Sequence, residues 1–200
     1  MLEAMAERQV TVEGNSFALP APFHVIATSN PIEYEGTYAL PEAQLDRFMV
    51  RLSVGYPAAE SEARILENRV SRRQEAAHIA PVIDAAQLIS LQEAVEAIHV
   101  DPDISRYCVE IARATRTAAN VEVGASPRGS LGLLLLGRAL AALDGRDFVR
   151  PDDIKRIAVP VLAHRLTLTP QAWAQGASAS DVVRSVVGQV AVPPTVGVLG

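Results

Sequence analysis

The sequence predicts an α/β segment followed by an all-α domain, on three observations. Short alternating apolar runs broken by Gly, Asn and Pro fill the first 56 residues. Gly55-Tyr56-Pro57 punctuates the chain, and beyond it the apolar residues recur at helical spacing. Hydrophobic residues make up 49% of the 200 residues and aromatics only 4%, an Ala/Leu/Val-rich balance that suits packed helices.

Acidic residues interrupt Met1 to Arg8 and argue against a signal peptide, and the stretch reads instead as the last two turns of a helix. Gln9–Val12 and Ser16–Leu19 alternate on either side of Glu13-Gly14-Asn15, the pattern of a β-hairpin. Pro20 and Pro22 break the chain before an apolar strand from Phe23 to Ser29, and 31–39 is a loop containing Gly36. Pro41 to Arg47 has room for about two helical turns, and Phe48 to Val54 alternates as a second strand.

The helical region begins with Ala59–Arg73, acidic at its start and basic at its end, as the helix dipole favours. Asp84–Ile98 carries Leu88, Leu91, Val95 and Ile98 at 3-4-3 spacing. Asp103–Ala119 puts Ile104, Tyr107, Cys108, Ile111 and Ala112 on one face. Ser126-Pro127 is an N-cap followed by proline at the first helical position, and that helix runs to Leu143 before Gly145. Pro151 opens another helix to about Leu162, and Ser180–Val190 is the last. The expected domains are therefore 1–56 and 57–200.

Composition narrows the function. A net charge of -5 argues against nucleic-acid binding. The single cysteine, Cys108, excludes an internal disulfide and suits a reducing, cytoplasmic setting. Apolar runs such as Leu131–Leu136 are far short of the ~20 residues a bilayer requires. His24, His78, His99 and His164 lack zinc-ligand spacing, so no metal site is expected, and no Gly-x-Ser-x-Gly elbow is present.

Three residues could act on phosphate. Asn30, at the carboxyl end of the first apolar strand, could orient a water or bond a phosphate oxygen. The plainer reading is an Asn-Pro turn. Arg47, ending a short helix, could be projected from one subunit toward a neighbour's phosphates. Its plainer reading is an ion pair with Asp46 or Glu42. Arg128 lies at the second position of the helix opened by Ser126-Pro127, where a cation opposes the dipole unless an anion binds nearby. An ordinary exposed arginine is the alternative.

The order of these residues resembles a known family. Glu3 to Val10, Ala27-Thr28-Ser29-Asn30-Pro31 and Glu35 to Phe48, with its Leu45-Asp46-Arg47-Phe48, closely resemble the MoxR family of AAA+ ATPases. The likeness continues through Val54-Gly55-Tyr56-Pro57, Ala125-Ser126-Pro127-Arg128-Gly129, Ala163-His164-Arg165-Leu166 and Asp181-Val182-Val183. It spans nearly the whole chain, and the stretch from Gly36 to Phe48 is the most specific.

The resemblance implies that 1–56 is the C-terminal part of an AAA+ αβα core and that the rest is the helical lid. Residues 9–19 correspond to the hairpin before sensor 1, Asn30 to sensor 1, Arg47 to an arginine finger acting in trans, and Arg128 to sensor 2. It further implies ATP and Mg as cofactors, a homo-oligomeric, hexameric ring, and chaperone-like remodelling of client proteins. Von Willebrand factor A-domain proteins are the implied clients, with neither nucleic acid nor a membrane span involved.

The pattern breaks at one point. A P-loop needs Gly-Lys followed by Ser or Thr, and the only lysine here, Lys155, follows Ile154. Asp152-Asp153 opens a helix rather than ending a strand, so it does not supply the acidic pair that binds Mg²⁺. In the family both motifs precede the helix that Met1–Arg8 would finish. The expectation is a C-terminal portion that is inactive alone, drawing ATP and Mg from a missing N-terminal part or a neighbouring subunit. A truncated, non-catalytic module that binds or caps a ring is the alternative.

Overall fold

Four helices enclose the core of the molecule. The computed structural model describes residues 2–29, 42–74 and 79–194. Helix α1 spans Leu2–Glu7 and leads into a two-stranded hairpin, β1 (Gln9–Val12) and β2 (Asn15–Ala18). Its register pairs Gln9 with Ala18 and Val12 with Asn15. Glu13 and Gly14 form the two-residue turn, both at positive φ (50° and 81°), which matches the right-handed strand twist and which glycine adopts without strain. The Glu3 carboxylate ties α1 to the hairpin by accepting from the Thr11 backbone N–H (3.2 Å) and hydroxyl. These bonds hold its pKa below the usual value.

The two apolar runs expected as strands, 23–29 and 48–54, lie outside any sheet. Their alternation suits a strand, but a strand exists only when a neighbour takes up its backbone donors and acceptors. No such neighbour is present among the described residues, and Ile26 and Val54 are 92% and 99% exposed. The expected two-turn helix ending at Arg47 is a single turn, α2 (Glu42–Leu45). Tight bonds from the Arg47 N–H to the Gln44 carbonyl and from the Phe48 N–H to the Leu45 carbonyl extend it.

The helical region follows the expected boundaries closely. Helix α3 (Ala59–Arg72) has no buried residue. Helix α4 (Ala85–Glu96) opens with a capping box between Asp84 and Gln87. Helix α5 (Pro102–Thr117) buries the face anticipated from its spacing: Ile104, Tyr107, Cys108, Ile111 and Ala112. Helix α6 (Pro127–Leu143) begins at the Ser126 cap, and α7 (Pro151–Leu162) runs into a 3₁₀ turn at Ala163–Arg165. Helix α9 (Ala179–Gln189), preceded by the short α8 (Pro170–Ala174), adds Val183 and Val186 to the core. A small antiparallel ladder pairs β3 (Val121–Val123) with β4 (Thr167–Leu168). Neither it nor α8 was expected, because runs of two to five residues carry almost no periodic signal.

Helices α6 and α7 pack closely because α6 presents glycines at the contact. A Cβ on Gly137 would lie 2.6 Å from the Ile154 Cδ1, and one on Gly129 would lie 2.9 Å from a Leu162 methyl. That approach brings the 3₁₀ turn after α7 up to the start of α6, which builds the candidate site.

Candidate functional site: an arginine pocket between the turn after α2 and the start of α6

Asp46 is the centre of the site. Neighbouring residues on a turn face different ways, so Asp46 points into the lid while Arg47 faces solvent. The Asp46 carboxylate accepts from the Arg165 guanidinium at 2.7 Å and from the Ser126 hydroxyl at 3.1 Å, and lies 3.8 Å from the Arg128 guanidinium. Ser126 serves both sides: its oxygen caps α6 by accepting from the Arg128 N–H (3.2 Å), and its proton goes to Asp46. A carboxylate at the N-terminus of α6 also suits the helix dipole.

Arg165 makes the tightest contacts, with its side chain only 2% exposed. Its Nε donates to the Val161 carbonyl (2.7 Å), its Nη1 to the Asp46 carboxylate and carbonyl, and its Nη2 to the Phe48 carbonyl (2.8 Å). His164 adds a bond from Nε2 to the same Phe48 carbonyl (2.9 Å). Burial pushes its pKa below the usual imidazole value, helped by the adjacent Arg165. Arg51 extends the seam, its N–H bonding the Pro160 carbonyl at 3.0 Å.

Arg47 and Arg128 thus line one open pocket of about 200 Å³ with Asp46, Met49, Leu131 and Arg165. Three arginines face one aspartate there, so the pocket is cationic. Arg165 is fully engaged with Asp46 and backbone. Arg128 is half exposed and only loosely paired, while the Arg47 guanidinium meets no partner among the described residues. Two arginines that sequence places 81 positions apart therefore line one pocket.

The third candidate, Asn30, lies outside the described residues. The ion pair between Arg47 and Asp46 does not form, because Arg165, Ser126 and Arg128 take up the carboxylate. Sequence reasoning missed Asp46 and Arg165 as parts of this site. The signal was present only in the two resembling motifs, Leu45-Asp46-Arg47-Phe48 and His164-Arg165, whose meeting required the fold. Cys108 is buried and its thiol is pushed up to about 12, which suits a core residue. Among the described residues no cluster of His, Cys, Asp or Glu suits a metal ion, and no helix is long and apolar enough to cross a membrane.

Comparison with known proteins agrees with this architecture. The family described as "ATPase family associated with various cellular activities (AAA)" matches residues 1–50, and the family described as "AAA lid domain" matches residues 113–186. The class of the fold is thereby an AAA+ ATPase, an α/β core segment followed by a helical lid. Over 197 residues the chain is 45% identical to the uncharacterised protein YeaC of Bacillus subtilis, covering 96% of this chain and 60% of that one. It is 40% identical to Chaperone MoxR1 of Mycobacterium tuberculosis, covering 96% and 53%. The crystal structure of a candidate ATPase from Cytophaga hutchinsonii superposes with a TM-score of 0.89 at 33% identity, covering 96% and 61%. The chain belongs to the MoxR family of AAA+ ATPases. It spans a little over half the length of these relatives.

Proposed function

We propose that this chain supplies the phosphate-sensing half of a nucleotide site in a hexameric AAA+ ring that remodels or assembles client proteins in the cytoplasm. Residues 1–56 form the end of the ATPase core, and 57–200 form the lid. Arg47 is the arginine finger, Arg128 is sensor 2 and Asn30 is sensor 1. The observation that carries this reading is the shared pocket, in which two incompletely neutralised guanidiniums of one chain face the same opening.

A triphosphate spreads charge over its terminal oxygens as the phosphoryl group leaves, and fixed cations stabilise that charge most where water is scarce. Arg47 and Arg128 can both reach such oxygens because they line one pocket. They therefore act on the same nucleotide, and since a finger acts across the subunit boundary, Arg128 does so too. These residues offer cations for phosphate, and we assign the phosphate cradle and Mg²⁺ to other residues of the protein or to the neighbouring subunit, since no Gly-Lys-Ser/Thr stands in this sequence. Von Willebrand factor A-domain proteins are the class of client this family membership favours.

In an ATP-hydrolysing assembly containing these residues, Arg47→Ala lowers turnover about 10³-fold or more with ATP binding nearly intact. Steady-state ATPase assays with nucleotide titration check this, and wild-type turnover in the variant would overturn the finger assignment. A second reading is a non-catalytic module that joins or caps a ring, its Arg47 facing solvent where it can reach a neighbour. In that case the chain alters the turnover of a complete family ATPase only when Arg47 is present.

A further inference from the structure

We infer that Arg165 is a positioning residue for both phosphate-facing arginines, acting through Asp46 and through the backbone on either side of Arg47. The inference rests on the assignment of Arg47 as the finger and extends it to a residue that no ligand would touch.

The geometry is specific. One guanidinium donates to the carbonyl before Arg47, at Asp46, and to the carbonyl after it, at Phe48 (2.8 Å). The peptide that carries Arg47 is therefore held on both sides by a single planar group, which leaves the Arg47 side chain unconstrained. The same guanidinium anchors the Asp46 carboxylate at 2.7 Å, and that carboxylate reaches the Ser126 cap and stands 3.8 Å from Arg128. Arg165 is in turn fixed to α7 by its bond to the Val161 carbonyl (2.7 Å).

Burying an arginine is costly, and a buried ion pair adds little net stability compared with packed apolar side chains. What a guanidinium offers that an apolar group cannot is a rigid fork of donors with fixed directions. Here Nε anchors the fork to α7, and both Nη arms orient the segment that carries Arg47 and the carboxylate beside Arg128. Asp46 stands 3.8 Å from Arg128, so losing the Arg165 fork would disturb the surroundings of both arginines.

The test uses an ATP-hydrolysing assembly that contains this chain, comparing Arg165→Lys, Asp46→Asn and Arg47→Ala with wild type. Lysine keeps the charge but cannot span both carbonyls, and asparagine keeps the shape of Asp46 while removing its charge. Readouts are kcat and KM for ATP, with the thermal midpoint as a control for folding. The expected result is a fall in kcat of about 10–100-fold for Arg165→Lys and Asp46→Asn, with KM nearly unchanged. If Arg165→Lys fails to fold, Asp46→Asn decides. Wild-type kcat in a folded variant, or a change confined to KM, overturns the inference. Should Arg47→Ala itself leave kcat unchanged, the finger assignment fails and this inference with it. If Arg47→Ala abolishes turnover while folded Arg165→Lys and Asp46→Asn keep wild-type kcat, the positioning role alone falls.

Discussion

His164 stands beside the site with one nitrogen committed. Its Nε2 faces the Phe48 carbonyl, an acceptor, so the proton sits on Nε2, and Nδ1 is buried with no hydrogen bond of good geometry among the described residues. Protonating Nδ1 would put a second positive charge next to Arg165, which together with burial explains the lowered pKa. The unfolded chain takes up this proton near pH 6.5 while the native chain resists it. Below that pH the unfolded state binds more protons, so stability falls as the solution is acidified toward the lower native value, and it is fully present above pH 6.5. Thermal midpoints measured from pH 7.5 down to 5 should decline, and His164→Gln should flatten part of that decline. An unchanged profile in the variant would mean another group carries it.

At the scale of elements, the joint between α6 and α7 decides where the site lies. Gly137 faces the fully buried Ile154, and an added methyl would sit 2.6 Å from its Cδ1. Gly137→Ala should therefore destabilise the chain by about 1–3 kcal/mol despite alanine's better helix propensity. Gly188, in α9, meets nothing within 4 Å, so Gly188→Ala should stabilise by about 0.5–1 kcal/mol. Chemical denaturation of the two variants checks the opposite signs, and equal shifts would mean that propensity rather than packing governs α6. Element boundaries were legible where caps and periodicity coincide: Ser126-Pro127, Pro151 and the Ile104–Ala112 face all behave as their spacing requires.

At the scale of the whole molecule, burial is uneven. Ile104, Ile111, Leu133, Ile154 and Val183 share one core, whereas α3 buries nothing and exposes Ile65, Leu66 and Val70. Hydrogen exchange on the chain should show α5, α6 and α7 strongly protected and α3 exchanging orders of magnitude faster. Comparable protection in α3 would mean that it is packed in solution. The sequence by itself determined the long helices beyond Pro57, a hairpin turning at Glu13-Gly14-Asn15, which the structure tightens to Glu13-Gly14, and the family, because caps, turn residues and periodicity are local properties that neighbouring residues encode. Only the tertiary structure decided the rest. The runs at 23–29 and 48–54 alternate as strands do, yet a ladder needs a partner that no local pattern supplies. Asp46 could have paired with adjacent Arg47; it pairs instead with Arg165, 119 residues away, because the close contact of α6 with α7 delivers a buried guanidinium to it.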